Sequence, residues 1–183
     1  MPAPHRVRII GGRHRGRQIA VPAVAVVRPT PDRVRETLFN WLGQDLTGAT
    51  TLDLYAGTGV LSLEAQSRGA ERSVAVDRNP ALIRALRNTA EAIGIAGIET
   101  HVGEALRHLV AESRTFDVVF VDPPFADDPW EALFATLGAR LALDGRVYAE
   151  AGRQLTPPAQ LELVRHARAG HVHYHLLARK DRR

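Results

Sequence analysis

From residue 50 onward, short runs rich in β-branched and other apolar residues alternate with longer stretches whose apolar positions recur every three or four residues. The first kind predicts strands over 51–54, 73–77, 99–102, 116–122, 146–150, 161–166 and 171–178. The second predicts helices near 60–68, 79–93, 104–112 and 129–139, with a further short one near 157. Near-continuous apolar strands alternating with helices are the pattern of a mostly parallel sheet covered on both faces. The expected fold is therefore α/β, with seven strands in a doubly wound, Rossmann-like sheet. Ahead of it, Thr30-Pro31-Asp32 reads as an N-cap, a proline at the first helical position and an acid in the first turn. Val34, Leu38, Trp41 and Leu42 then recur at helical spacing, predicting an amphipathic helix over 31–46 with Arg33 and Glu36 on its polar face. Earlier still, β-rich runs at 6–10 and 17–21 flank Gly11-Gly12-Arg13-His14-Arg15-Gly16, a basic, glycine-bounded turn that suggests a hairpin or mobile arm. The expected division is a basic arm over 1–27 and one main domain over 28–183 that includes the helix 31–46.

A chain of 183 residues, 45% hydrophobic and 24% charged, is that of an ordinary soluble globular domain. No apolar run approaches the roughly 18 residues a membrane span needs, and the first residues lack the apolar core of a signal peptide, so a cytoplasmic protein is expected. The absence of cysteine removes disulfides and thiolate metal sites. Charge changes the picture more. Residues 1–35 hold eight arginines against the single acid Asp32, within a chain of net charge +4. An excess of seven positive charges in one segment is the footprint of a phosphate-binding surface, and Arg13, Arg15, Arg17, Arg28, Arg33 and Arg35 are the expected contacts to a nucleic-acid backbone. Lys180 is the only lysine, so the preference for arginine has a compositional reading, but the clustering does not.

Candidate chemistry sits at the carboxyl ends of the predicted strands, where open α/β sheets bind ligands. The loop Asp53-Leu54-Tyr55-Ala56-Gly57-Thr58-Gly59 follows the first of them, and its glycines permit a tight turn and close backbone approach. Asp77 ends the next strand, eighteen residues beyond Gly59, where an acid can accept hydrogen bonds from both ribose hydroxyls of an adenosine. That spacing suits NAD as well, but a dinucleotide loop requires a third glycine where this chain has Ser62. An acid at Asp53, before the turn, suits a cationic amino-acid-like tail better than a pyrophosphate, which favours S-adenosylmethionine. Asp53 and Asp77 taken singly also read as turn or capping acids. Glu104 lies either beside the adenine or in the first turn of its helix.

At a further strand end comes Asp122-Pro123-Pro124-Phe125. An exocyclic amino group is a poor nucleophile because its lone pair is drawn into the ring. A carboxylate and a nearby carbonyl that accept its two N–H groups hold it in line with a donor methyl and favour the pyramidal form. The prolines stiffen the corner and carry no N–H, so Asp122 and the Pro123 carbonyl can face the same way. Phe125 offers a flat face on which a base can stack.

Residues 7–16, 28–42, 53–59 and 119–125 together resemble, in the same order, the bacterial 16S rRNA guanine-N2 methyltransferases, and the stretch 28–42 is the most family-specific. The resemblance implies a class I methyltransferase, expected to be monomeric, that moves a methyl from S-adenosylmethionine to N2 of guanine 966 of 16S rRNA on the small ribosomal subunit or a late precursor. It implies cofactor contacts at Asp53, Tyr55, Gly57, Thr58, Gly59 and Asp77, and a target-amino corner at Asp122, Pro123 and Phe125. Glu104 stands where relatives often carry Asp or Asn. Adenine-N6 and protein-glutamine methyltransferases have similar corners, although Asn in place of Asp122 and Tyr in place of Phe125 would favour those. A non-catalytic RNA-binding assembly factor is the rival outside enzymes, and the intact acids speak against it. His171, His173 and His175 fall at period two on one strand face, but methyl transfer from a sulfonium needs no Lewis acid, and no metal is expected.

Overall fold

A computed structural model describes residues 6–20, 22 and 30–180. Two short strands, β1 (Arg6–Arg8) and β2 (Gln18–Ala20), pair antiparallel as a separate hairpin. After α1 (Asp32–Leu42) come β3 (Thr50–Asp53), α2 (Val60–Ser67), β4 (Arg72–Asp77), α3 (Pro80–Ala92), β5 (Ile98–Val102), α4 (Ala105–Ala111), β6 (Phe116–Val121) and α5 (Trp130–Leu137). A single 3-10 turn, Gly138–Arg140, leads into β7 (Leu141–Ala151), followed by β8 (Leu161–Ala169) and β9 (Val172–Arg179). The seven strands β3 to β9 form one sheet in the order β5-β4-β3-β6-β7-β9-β8. Strands β3 to β7 are parallel to one another, whereas β9 is antiparallel to both β7 and β8.

Alternation along each strand divides the core between the two faces of this sheet. Ala75, Phe120 and Tyr148 meet Leu38 and Phe39 of α1, Leu63 of α2 and Leu86 of α3 on one side. Leu52, Val74, Val119 and Val147 meet Leu109 of α4 and Leu133 and Leu137 of α5 on the other. The parallel order reverses direction between β3 and its two neighbours, so the ends of β3, β4 and β6 frame one crevice, the usual ligand position in such sheets.

Several expectations are corrected. Helix α1 stops at Leu42 rather than 46, because Gly43 takes φ 97°, a left-handed backbone that ends the helix. Thr30 does not cap it; its hydroxyl instead donates to Glu150 Oε1 at 3.3 Å. No helix forms near 157, where Pro157 and Pro158 follow one another without N–H groups to give. Strand β9 lies inside the sheet, between β7 and β8. The expected hairpin does form, and it is docked on the core rather than free. Val7, Ile9 and Ile19 are buried in the same core as α1, and the basic turn is seated on the end of α2, where Arg13 N–H donates to the Ser67 carbonyl at 2.6 Å and His14 N–H to Ser67 Oγ at 2.9 Å. Gly12 (φ 74°) is required there, since a Cβ would come 1.9 Å from the Ser67 carbonyl oxygen.

Candidate active site

The loop after β3 is drawn across the sheet by its neighbours. Leu54 N–H donates to the Phe120 carbonyl (3.1 Å) on one side and Ala56 N–H to the Val76 carbonyl (2.9 Å) on the other. Gly57 and Gly59 both take positive φ, 55° and 75°, and a Cβ on Gly59 would stand 2.3 Å from Leu86 of α3. Asp77 fastens the loop from beside it: one carboxylate oxygen accepts the Gly57 N–H and the other the Asn79 N–H, each at 2.8 Å. Asp53, by contrast, lies beneath the loop, almost wholly buried, with the Ser62 hydroxyl donating to it at 3.0 Å. Ser62, which replaces the third glycine of a dinucleotide loop, is therefore the partner of the acid before the turn. Burial first, and the nearby Asp122 and Asp77 charges after it, push the Asp53 carboxyl up to about 7. Thr58 is buried in the turn. Tyr55 is half-buried on the rim, its hydroxyl pushed up to about 12 by burial and then by the Asp127 and Glu104 charges. Glu104 itself is exposed at the residue before α4, with no capping bond of its own. Beside it, Val102 is 54% exposed, and a Cβ on Gly103 would meet only open space.

At the end of β6, Pro123 is buried while Pro124 and Phe125 are exposed, Phe125 at 44%. The Phe125 ring passes over Gly152 at the end of β7, where a Cβ would make ordinary contact at 3.5 Å. The corner is held further by Asp128, a non-glycine residue at φ 35°, whose carboxylate pairs with Arg153 at 3.0 Å. Asp122 is partly buried at the mouth of the crevice. Among the described residues no group donates a hydrogen bond to its carboxylate, and the burial it has pushes it up to about 7. Next to it stands Glu150, which the motifs do not include. Its Oε1 accepts from the Tyr148 hydroxyl at 2.9 Å and from Thr30, and burial, then the Asp122 charge, push it up to about 8. The signal for Glu150 was present in its position, since it closes a predicted strand as Asp77 and Asp122 do. No short motif surrounds it to draw attention.

The basic segment divides. Arg13, Arg15 and Arg17 are exposed on and after the hairpin turn, and Arg33 is exposed in the first turn of α1. Arg28 lies outside the described residues. Arg35 is corrected: it is fully buried and cannot reach RNA from there. Its guanidinium meets Glu64 Oε1 at 2.7 Å, the Arg8 carbonyl at 2.8 Å, the Thr30 carbonyl at 3.2 Å and Asp32, so it joins the hairpin, α1 and α2. A buried guanidinium of this kind is tolerated because its donors are taken up by acceptors in fixed geometry.

The histidine pattern also changes. His171 sits in the turn before β9, and its expected place beside His173 and His175 is taken by His166 of β8, with candidate ligand atoms of the three within 4.8 Å of one another. His175 is buried and committed on both sides: Leu155 N–H donates to Nε2 at 3.0 Å and Nδ1 faces the Ala149 carbonyl at 3.2 Å, while burial lowers it to about 4. It serves as a strut between β9 and the segment after β7.

Known proteins bear on these groups. The family described as conserved hypothetical protein 95 matches residues 7–178. The ribosomal RNA small subunit methyltransferase D of Escherichia coli K12 is 36% identical over 180 residues, covering 96% of this chain and 91% of that protein. Its namesake in Haemophilus influenzae is 31% identical over 182 residues, covering 95% and 94%. The solved structure of yhhF from Escherichia coli, described there as a candidate methyltransferase, superposes with a TM-score of 0.87 at 37% identity, over 96% of this chain and 98% of that one.

Proposed function

The chain belongs to the family described as conserved hypothetical protein 95, and on that premise we propose that it transfers a methyl group from S-adenosylmethionine to the exocyclic N2 of a guanine in small-subunit ribosomal RNA, guanine 966 of 16S rRNA being the expected target. One observation carries the reading: a partly buried Asp122 carboxylate with no donor among the described residues, next to a Glu150 whose donors are supplied, at a corner with an exposed aromatic ring. Such a carboxylate is a free acceptor for a group that brings its own N–H bonds. An amino group does.

The residues present fit the methyl donor. The loop 53–59 is glycine-turned and tied down, Asp77 is partly open at the end of β4 for the ribose hydroxyls, and the open space beside Val102, Gly103 and Glu104 suits an adenine ring. When bound, S-adenosylmethionine supplies a methyl already activated by the positive sulfonium. The protein then needs chiefly to align and to desolvate. Asp122 and the Pro123 carbonyl would accept the two N2–H groups and Phe125 would stack on the ring, so that the N2 lone pair faces the donor methyl; the electron pair of the carbon–sulfur bond would leave with sulfur in S-adenosylhomocysteine. The proton released from N2 passes to Asp122 or to water. Asp53, Asp122 and Glu150, all raised by burial, are easier to ionise beside a cationic donor, which links donor binding to readiness of the acceptor.

The test is incubation with methyl-labelled S-adenosylmethionine and small subunits lacking their own methylation, in parallel with naked 16S rRNA, followed by digestion and identification of the labelled nucleoside. Label in N2-methylguanosine from the subunit is expected. Label in N6-methyladenosine or in protein would overturn the target while leaving the fold in place.

A further inference from the structure

A second concavity stands beside the target-amino corner and takes no part in the chemistry above. A cavity of about 380 Å³ opens between α1 and the β8–β9 hairpin, lined by Arg33, Trp41, Tyr148, Arg168 and Tyr174 among others. That volume lies in the range of small-ligand sites. It sits at the same end of the sheet as the corner. Because β9 runs against β7, its first residues come back to the carboxyl end of β7, with Tyr174 opposite Glu150. Tyr174 stacks on Tyr148, centroids 6.5 Å apart and planes 10° from parallel, and the Tyr148 hydroxyl is the one that donates to Glu150. One wall of the cavity is thus the back of the Asp122–Glu150 pair.

The lining has a particular chemistry. Its floor is aromatic and apolar, and no acid is among its residues. One arginine flanks it: among the described residues the Arg33 guanidinium has no hydrogen bond or ion pair. Arg168 pairs with His173 across the β8–β9 ladder and so turns its side chain to the opposite sheet face from Ala167, Ala169 and Tyr174. Small side chains at Ala167 and Ala169 on β8 keep the space open. Flat aromatic faces with a cation beside them and no competing carboxylate are what a nucleotide requires, the ring for its base and the arginine for its phosphate.

We propose that this cavity is a second nucleotide subsite, which takes an unpaired nucleotide flanking the methylated guanine, its base against Trp41 and Tyr174 and its phosphate on Arg33. The inference rests on the RNA reading of the neighbouring corner. Holding the neighbour in this way fixes the register of the strand, so that one guanine and not the next reaches Asp122.

The chain has two tryptophans, Trp41 and the buried Trp130, so in a Trp130→Phe background Trp41 alone reports on the cavity. Titration with hexaadenylate should quench Trp41 emission, tripolyphosphate, which carries charge without a base, should not, and the quenching should vanish in Arg33→Glu and in Ala169→Phe, which plugs the space from an exposed position. With small subunits, Ala169→Phe and Trp41→Ala should each raise KM about tenfold without changing cofactor affinity. The Arg33→Glu charge reversal should also flatten the log–log salt dependence by about 0.7 for each phosphate that the variant no longer neutralises. Methyl transfer to guanine N2 with neither quenching nor a change in KM would overturn the subsite and leave the activity standing. Quenching of the expected pattern without methyl transfer would leave the subsite standing and overturn the activity.

Discussion

The two halves of the site are built on opposite principles. On the side proposed for the cofactor nearly every polar group is already answered from within the protein: Asp77 by the Gly57 and Asn79 N–H groups, Asp53 by Ser62, and the loop backbone by β4 and β6. On the target side Asp122 has no donor among the described residues and Glu150 holds its proton to about pH 8. The first half is therefore rigid before any ligand arrives, held by internal hydrogen bonds. The second carries an unanswered acceptor, a local instability that, on the proposed reading, a substrate amino group relieves. Preorganised binding and a withheld hydrogen bond are different devices, and they respond differently to mutation and to pH.

Removing the withheld acceptor should have the largest effect. Asp122→Ala is expected to lower methyl transfer by about 10² to 10⁴ while cofactor affinity stays within a few fold, measured by single-turnover transfer beside calorimetric titration of the donor; equal loss in both would merge the two halves into one. The converse lesion is Gly59→Ala, at φ 75° and 2.3 Å from Leu86. It should weaken cofactor binding roughly tenfold or more, since forcing a side chain into the left-handed region alone costs about 1–2 kcal/mol. Normal donor affinity in that variant would show that the loop is not preorganised.

The pH response should follow from the raised carboxyls. Their folded values, about 7 for Asp53 and Asp122 and about 8 for Glu150, lie above the ordinary 3.8 and 4.5, so folding favours the protonated forms. Stability from these groups is full below pH ~4 and is lost as pH rises through 7 to 8. The unfolding midpoint of the ligand-free protein should accordingly fall between mildly acid and mildly alkaline pH, and Glu150→Gln should remove the part of the loss near pH 8. Transfer itself should rise with pH through about 7 as Asp122 ionises, in wild type and in Glu150→Gln alike. A pH–rate profile flat across neutrality would place the relevant proton elsewhere. The smallest effect belongs outside both halves. Arg13→Ala/Arg15→Ala, on the docked hairpin turn, should raise KM for the subunit several-fold and flatten its salt dependence without altering donor affinity; an unchanged salt slope would remove these arginines from the RNA contact.

What could be read in advance was mostly local. The strand–helix alternation marks β3 to β9 because buried parallel strands carry continuous apolar runs, and the strand-end acids and glycine turn mark the cofactor half because their spacing is short and stereotyped. What escaped is non-local. Glu150 becomes part of the site through Thr30, 120 residues away, and through a tyrosine on its own strand. Arg35 looks from its neighbours like one more exposed arginine, and only the arrival of Glu64 from α2 and the Arg8 carbonyl from the hairpin makes it a core residue. Net charge over a segment counts cations without knowing which of them face inward. The histidines show the same limit, since a period-two pattern gives the face of one strand but not the contribution of the strand beside it.

The Thr30–Glu150 bond has a consequence for how the protein is made. Ribosomes deliver a chain from its amino end, and domains begin to fold as they emerge. By the time Phe125 has left the exit tunnel, the glycine loop, Asp77 and the Asp122 corner have all emerged, yet Tyr148, Glu150 and Tyr174 are still to follow. The nascent polypeptide at that stage holds every recognisable motif with the wall behind them missing. Completion of the crevice is thus deferred until β9 is free to insert between β7 and β8, and a chain truncated anywhere before that point is a scaffold with the right signature and an unfinished crevice.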